Sequence, residues 1–307
     1  MIVLVASLAV AALPAAAQTS LTTDEQALVD YVQSTFDNFL TLDSFTSTGT
    51  NNIVQHINVT MQDMEMGIDQ VIDQIITGQA QRDAASGLSM AAQVDQTISQ
   101  ETPGQPAQDI TQTIEMVVAD GDFYMRFSNV SPATVASIYP SGWVNLSEDT
   151  NAFPGANLLN AEQYTKMFEM QFQFPLNDTT IDRIKELPGE TLNGVDTRVI
   201  KLVYNGPALF NSGEMDQYLS AFNTGQLGLD MDQLRQSMGE SAALELTIWI
   251  GIDDELIYRT DTQMSMSGDV GAVVAGIDNM YLEQQATSSM TYTGFNEPVT
   301  IETPSVK

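Results

Sequence analysis

The stretch EMVVADGDFYMRF, residues 115–127, decides the fold of this chain. Strand-forming residues stand on both sides of the dipeptide Asp120-Gly121. Asp-Gly accepts the left-handed backbone angles of a two-residue type I′ turn, whose twist matches that of the strands it joins. The stretch therefore predicts a β-hairpin, and strands joined by so short a turn run antiparallel.

Alternation of apolar and polar residues extends from this hairpin over most of residues 44–128. It predicts antiparallel strands with one apolar and one wet face. Because the strands are long, they are expected to form a large curved sheet. The apolar members of the four stretches are Ile53, Ile57, Val59 and Met61; Met64, Met66, Ile68, Ile72 and Ile76; Leu88, Met90, Ala92, Val94 and Ile98; and Ile110, Ile114 and Met116.

Helices are predicted at the start and in the middle of the chain. Thr22-Thr23-Asp24-Glu25 is a capping box, and apolar residues follow it at helical spacing. The middle is expected to be helical and irregular, apart from one strand over residues 198–204. Three helix starts are predicted there, each with its apolar residues: Asn160 with Phe168 and Phe172, Ser212 with Leu219 and Phe222, and Asp230 with Leu234 and Met238.

The end of the chain returns to strands. Ile248 and Met264 belong to two alternating stretches that Asp253-Asp254 separates, and a last strand is expected over about residues 281–292. The predicted fold class is α+β, with a large curved antiparallel sheet and helices on its concave face. Since no linker-like segment divides these parts, we expect one domain over residues 18–307.

Composition excludes several classes of function. Ten Lys and Arg against forty Asp and Glu give a net charge of −30, which is unsuited to nucleic acid or to anionic lipid headgroups. The absence of Cys excludes disulfides and thiolate sites, and a single His excludes multi-histidine metal sites. We expect no metal and no cofactor.

Residues 1–17 are expected to be a signal peptide. The apolar run of residues 2–13 is too short to span a bilayer, and Ala15-Ala16-Ala17 offers an A-x-A cleavage pattern. We therefore expect an exported protein, located in the periplasm, the cell envelope or the extracellular space. Anchoring by an uncleaved signal segment is the alternative.

Catalysis finds little support in the residues. His56 is the only imidazole, and it shares the polar parity of its strand with Asn58 and Thr60. There is no G-x-S-x-G motif to supply a nucleophile. The carboxylates mostly take the outward parity, one per pleat, so a solvated acidic face is favoured over a paired-carboxylate site.

Methionines in strands are the more informative feature, since Met is not a favoured strand residue and its thioether adapts to varied apolar ligands. Two hypotheses remain open: a filled core, or helices that stand off the sheet and leave a cavity of ligand size, about 300 Å³ or more. The candidate cavity residues are Met64, Met66, Ile68, Met90, Ile114, Met116, Phe123, Met125, Phe168, Phe172, Leu219, Phe222, Ile248 and Met264.

Three groups of motifs together resemble the LppX/LprAFG lipoproteins of mycobacteria, within the wider LolA/LolB-like group. The first is VADGDFYMRF at residues 118–127, followed by GWVNL at 142–146. The second is LTIWI at 246–250 with LIYR at 256–259, and the third is YTGFNEPVTI at 292–301. The likeness covers most of residues 22–304.

This resemblance implies a half-open barrel whose concave side, under helices, holds acyl chains, and it transfers no catalytic residue. Because the family's lipid-anchored members carry a Cys at the cleavage site and this chain has none, a soluble carrier or a protein held by an uncleaved signal segment is implied. We expect a monomer that binds lipid or another acylated ligand without catalysis and exchanges it with membrane donor or acceptor proteins. The alternative is an acidic exported structural protein with a filled core.

Overall fold

The computed structural model describes residues 20–61, 64–83, 87–153, 156, 160–173, 175–212, 239, 241–269 and 279–306. The predicted signal peptide, residues 1–17, lies outside this range, as do the helices predicted after Ser212 and Asp230. Among the residues described, no helix combines the length and the apolar character needed to cross a membrane.

Eleven strands form one antiparallel sheet, as predicted. Its order in the described chain is β6-β5-β4-β3-β2-β1-β11-β10-β9-β8-β7, so the sheet is open, with β6 and β7 at its two ends. The strands are β1 (Ser44–Met61), β2 (Met64–Asp83), β3 (Gly87–Glu101), β4 (Gln108–Ala119), β5 (Asp122–Ser131), β6 (Val144–Asn145), β7 (Ile181–Leu192), β8 (Val195–Tyr204), β9 (Ala243–Gly251), β10 (Ile257–Asp269) and β11 (Asn279–Thr293).

The predicted hairpin joins β4 to β5. Ala119 faces Asp122 across a two-residue turn. Asp120 and Gly121 both have positive φ angles, of 56° and 85°. These are the left-handed conformations that the type I′ turn requires, so this prediction is confirmed.

The middle of the sheet joins the two ends of the chain. β1 pairs with β11 from Thr46 opposite Thr293 to Thr60 opposite Asn279. On its other side β1 pairs with β2 along its whole length, down to Met61 opposite Met64. This register places the odd-numbered residues of β1 and the even-numbered residues of β2, β3 and β11 on one face.

Helix α1 packs on that face. Its capping box is present: the Thr22 hydroxyl accepts from the Glu25 amide at 3.3 Å, and the Glu25 carboxylate accepts from the Thr22 amide at 2.9 Å. The rings of Phe36 and Phe39 are buried against Phe172, which follows α3. The helices are α1 (Thr23–Leu40), α2 (Ala133–Ala136), α3 (Ala161–Met170) and α4 (Gly206–Phe210).

Strand β7 corrects the expectation that the middle of the chain is helical before residue 198. It pairs with β8, but the register shifts near its start, between Ile181 and Arg183, and again between Leu187 and Glu190. Because of the first shift, the buried residues Ile181 and Ile184 are three positions apart. A bulge of this kind inserts one extra residue, so it interrupts the two-residue alternation of buried and exposed side chains by which a strand is recognised.

Candidate functional site

A cavity of about 690 Å³ lies between the concave face of the sheet and the helices. Residues of β4 and of β9, which stand six places apart in the strand order, both line it, so the sheet curves around it. Phe36 of α1 and Tyr164 and Phe168 of α3 contribute to its helical side, together with Phe172. Its volume is more than twice the ~300 Å³ that separates a ligand cavity from a filled core.

Seven of the predicted cavity residues line this space: Ile68, Met90, Ile114, Met116, Phe168, Phe172 and Met264. Phe123, Met125 and Ile248 are at most 1% exposed and belong to the packed core beside it. Met66 is 39% exposed near the far end of β2. Leu219 and Phe222 lie outside the described residues, and so does the side chain of Met64. The assignment of these residues to ligand binding stays a prediction.

Four side-chain amides cross the floor of the cavity in one line, which we name the amide row: Asn51, Gln74, Gln96 and Gln112. Asn51 faces Gln74, Gln74 faces Gln96, and Gln96 faces Gln112 in the pairing of β1 to β4. All four line the cavity. Ser288 of β11, opposite Asn51, and Thr262 of β10, opposite Ser288, continue this polar line across two more strands.

Hydrogen bonds in the amide row run in one direction. The Asn51 Nδ2 donates to Gln74 Oε1 at 2.8 Å, and the Gln74 Nε2 donates to Gln96 Oε1 at 3.3 Å. At the end of the row, Gln112 is 6% exposed and its Oε1 has no hydrogen-bond partner among the described residues. A buried amide oxygen without a partner is uncommon, because it gives up its bonds to water.

The amide row is not among the predicted cavity residues, although its signal is present in the sequence. Gln74 stands between Ile72 and Ile76, and Gln96 between Val94 and Ile98, always at the apolar parity. One amide at such a position interrupts a hydrophobic pattern only slightly. Its meaning depends on the register, which aligns amides from four strands.

Apolar residues lie on both sides of the amide row. Ile76, Val94 and Ile114 line the cavity one pleat toward the helices, and Ile98 and Ile110 line it one pleat away from them. Two residues along a strand span about 7 Å. The amide row is therefore a polar band between two apolar strips, and the floor becomes polar again one pleat beyond Ile98, where Gln100 faces Gln70.

Charge is absent from the described lining of the cavity: none of those residues is Asp, Glu, Lys, Arg or His. Burial on this face raises the pKa of the Tyr292 phenol to about 12, so it is neutral at physiological pH. Because the chain has a net charge of −30 and the described lining of the cavity has no charged residue, the acidic residues of the described chain lie on other surfaces.

The opposite face of the sheet carries those acids. A second cleft, of about 670 Å³, has Asp73, Asp95 and Asp261 in its lining, and the four residues of the amide row also contribute to it. Asn52 donates to Asp73 at 2.7 Å, and Thr113 donates to Asp95 at 2.7 Å. In the described part of the chain, no three His, Asp or Glu side chains are grouped so that they could hold a metal ion.

His56 also lies on this opposite face, at the polar parity that the sequence predicts. Its Nδ1 lies 2.5 Å from Asp69 Oδ1, and its Nε2 lies 3.0 Å from Asn58 Nδ2. The His56 side chain is 42% exposed. The imidazole therefore does not line the cavity.

Comparisons with known proteins find structural similarity only. No protein-family model and no curated protein matches the sequence. The structure is similar to the lipoprotein LppX of Mycobacterium tuberculosis, with a TM-score of 0.38, 12% identity and coverage of 91% of this chain and 100% of that one. It is similar to LprF of Mycobacterium bovis, with a TM-score of 0.38, 11% identity and coverage of 94% and 100%. A DUF1329 family protein of Desulfovibrio piger follows, with a TM-score of 0.26, 11% identity and coverage of 92% and 96%.

Proposed function

We propose that this protein binds lipids or other acylated hydrophobic ligands in the cavity and carries them, without catalysing a reaction. The observation that carries the proposal is a cavity of about 690 Å³ whose described walls are uncharged and mostly apolar. Seven of the predicted residues line this cavity, and three of the seven are methionines: Met90, Met116 and Met264. Flexible thioether side chains suit ligands of varied shape.

Affinity for such a ligand comes from removing its apolar surface from water. Each buried CH₂ group contributes about 0.8 kcal/mol, so one acyl chain suffices without charged contacts. An empty cavity lined by Ile, Met and Phe loses the dispersion contacts that a filled core would have. Occupation by an acyl chain restores those contacts, and for this reason the carrier is favoured over a structural protein with a filled core.

The place of action follows from the first residues and the charge. We propose that residues 1–17 direct export and that the mature chain works in the periplasm or cell envelope as a monomer. Its net charge of −30 repels anionic membrane surfaces. Loading and unloading therefore call for donor or acceptor proteins rather than for adsorption of the carrier to lipid headgroups.

Extraction of the purified protein tests this proposal. The exported chain is purified without detergent and extracted with chloroform and methanol, and the extract is analysed by mass spectrometry. We expect close to one lipid per protein, and we expect a delipidated sample to take up an apolar fluorescent probe that added lipid displaces. Clean protein that also fails to take up the probe would refute lipid carriage.

A further inference from the structure

We infer that the amide row is the subsite for an uncharged polar group of the ligand, an ester or a hydroxyl, and that it holds this group midway along the cavity with apolar arms on both sides. The inference rests on the proposed function and specifies which residues give it selectivity. Gln112 and Gln96 are the residues that carry it, since both are buried on the cavity floor.

The hydrogen-bond row is open at one end. Asn51 and Gln74 each donate to the next amide, which fixes the orientation of the Gln74 and Gln96 carbonyl groups. Gln112 ends the row with a buried Oε1 that lacks a partner among the described residues. Native proteins seldom leave such a group unsatisfied. The described residues do not supply a partner to this oxygen, and a ligand in the cavity can do so. A hydroxyl donates to the amide oxygen, and an ester carbonyl accepts from the amide nitrogen of the same side chain.

The amide row also lies between two apolar strips of the cavity floor. Ile114 lies one pleat from Gln112 on one side, and Ile110 lies one pleat away on the other, and both line the cavity. A ligand with its polar group at one end would leave either the amides or one apolar flank without a matching partner. A ligand with a polar waist and apolar arms matches both.

The described lining of the cavity is also uncharged. No Lys or Arg is present in the described lining. A carboxylate or phosphate placed at the amide row would be buried without a counter-ion from the described walls, which is far less favourable than burying an ester or a hydroxyl. The row therefore selects uncharged polar groups over fatty-acid and phospholipid head groups.

The test compares two variants of one strand. Gln112→Met keeps the length of the side chain and removes its hydrogen-bonding group, while Thr111→Met changes the neighbouring residue, which is exposed on the opposite face of the sheet. Gln96→Met repeats the change one strand away, in case Gln112→Met does not fold. Circular dichroism and urea unfolding establish that each variant is folded. Dioleoylglycerol, oleate and the hydrocarbon squalene each displace the apolar probe from delipidated protein.

We expect the wild type to bind dioleoylglycerol more tightly than oleate at pH 8. Loss of a hydrogen bond or two should weaken dioleoylglycerol binding about fivefold to tenfold in Gln112→Met, with squalene binding unchanged and Thr111→Met like the wild type. Equal dioleoylglycerol affinity in the wild type and in the folded Gln variants, or oleate binding as tight as that of dioleoylglycerol, would overturn the inference. In that case squalene still binds, whereas failure of all three compounds to bind would refute the proposed function itself.

Discussion

Phe39 of α1 meets Tyr292 of β11 edge to face, with 5.0 Å between the ring centroids. Phe39 is 1% exposed and also contacts Phe45 and Phe172, at centroid distances of 4.9 and 4.7 Å. Phe39 thus joins α1 to β1 through Phe45, to β11 through Tyr292, and to the segment after α3 through Phe172. Edge-to-face and tilted ring pairs add to the stabilisation that burial provides.

Replacing Phe39 should therefore destabilise the whole fold. We expect Phe39→Ala to lower the free energy of unfolding by about 3–5 kcal/mol, the usual cost of deleting a buried phenylalanine ring. Ser34→Ala, on the exposed side of the same helix, should change it by less than about 0.5 kcal/mol. Urea unfolding followed by circular dichroism measures both, and equal effects would contradict the central role of Phe39.

Filling the cavity should displace its ligand without unfolding the protein. Ala92 lines the cavity between Gly78 and Met116, and the Phe side chain of Ala92→Phe would occupy part of its volume. We expect less lipid per protein in organic extracts, together with an unchanged or higher midpoint of urea unfolding, since filling a cavity commonly stabilises.

The matched control adds the same bulk to the other face. Thr77 is exposed at the opposite parity of β2, so Thr77→Phe should retain wild-type amounts of lipid. If Ala92→Phe and Thr77→Phe retain the same amount of lipid, the ligand does not lie in this cavity.

The hairpin turn offers a test of backbone conformation alone. Gly121 has a φ angle of +85°, and a Cβ added there would meet no atom within 4 Å. Gly121→Ala should therefore cost about 1–2 kcal/mol from the left-handed conformation, with no steric clash. Gly142 has equal space without a positive φ angle, so Gly142→Ala should be neutral or slightly stabilising. The midpoint of urea unfolding should be clearly lower for Gly121→Ala than for Gly142→Ala. A Gly121→Ala variant that is more stable than the wild type would disprove the type I′ turn.

Alkaline pH should destabilise the fold through its buried phenols. Burial raises the pKa of Tyr292 from 10.0 to about 12. The folded state therefore holds this proton more tightly than the unfolded state, so the stabilisation is complete below pH 10 and is lost as the pH rises through 12. Tyr292→Phe removes the part of the pH dependence that the Tyr292 phenol contributes. From pH 8 to pH 11 the wild type should lose roughly 1 kcal/mol more than the variant.

Urea unfolding at the two pH values measures this difference. Tyr281 is 39% exposed, so Tyr281→Phe makes the same chemical change at an accessible position and should follow the wild type. An alkaline loss in Tyr292→Phe as large as that of the wild type would contradict the buried, protonated phenol.

The sequence predicts the elements whose signals are local. The Asp120-Gly121 turn and the Thr22 capping box need only a few neighbouring residues, and both are confirmed. Asn160 likewise caps α3, since its side chain accepts from the Gln163 amide at 2.8 Å. The long strands follow from regular alternation, because each side chain of a strand points to the face opposite its neighbour's.

What could not be predicted depends on relations between distant residues. The bulges of β7 remove its alternation, and they become visible only in its pairing with β8. The amide row requires the registers of three strand pairs at once, from Asn51 to Gln112. A single strand shows one Gln among apolar residues, and nothing in that pattern says that four amides adjoin.

The pairing of β1 with β11 has a consequence for the biogenesis of this protein. Thr46 is opposite Thr293, so the two halves of the sheet are joined in the middle only after residue 293 has left the ribosome. Contacts so far apart in the chain form late, because their loop-closure entropy must be overcome first. The nascent chain thus stays without its completed sheet until β11 has been synthesised.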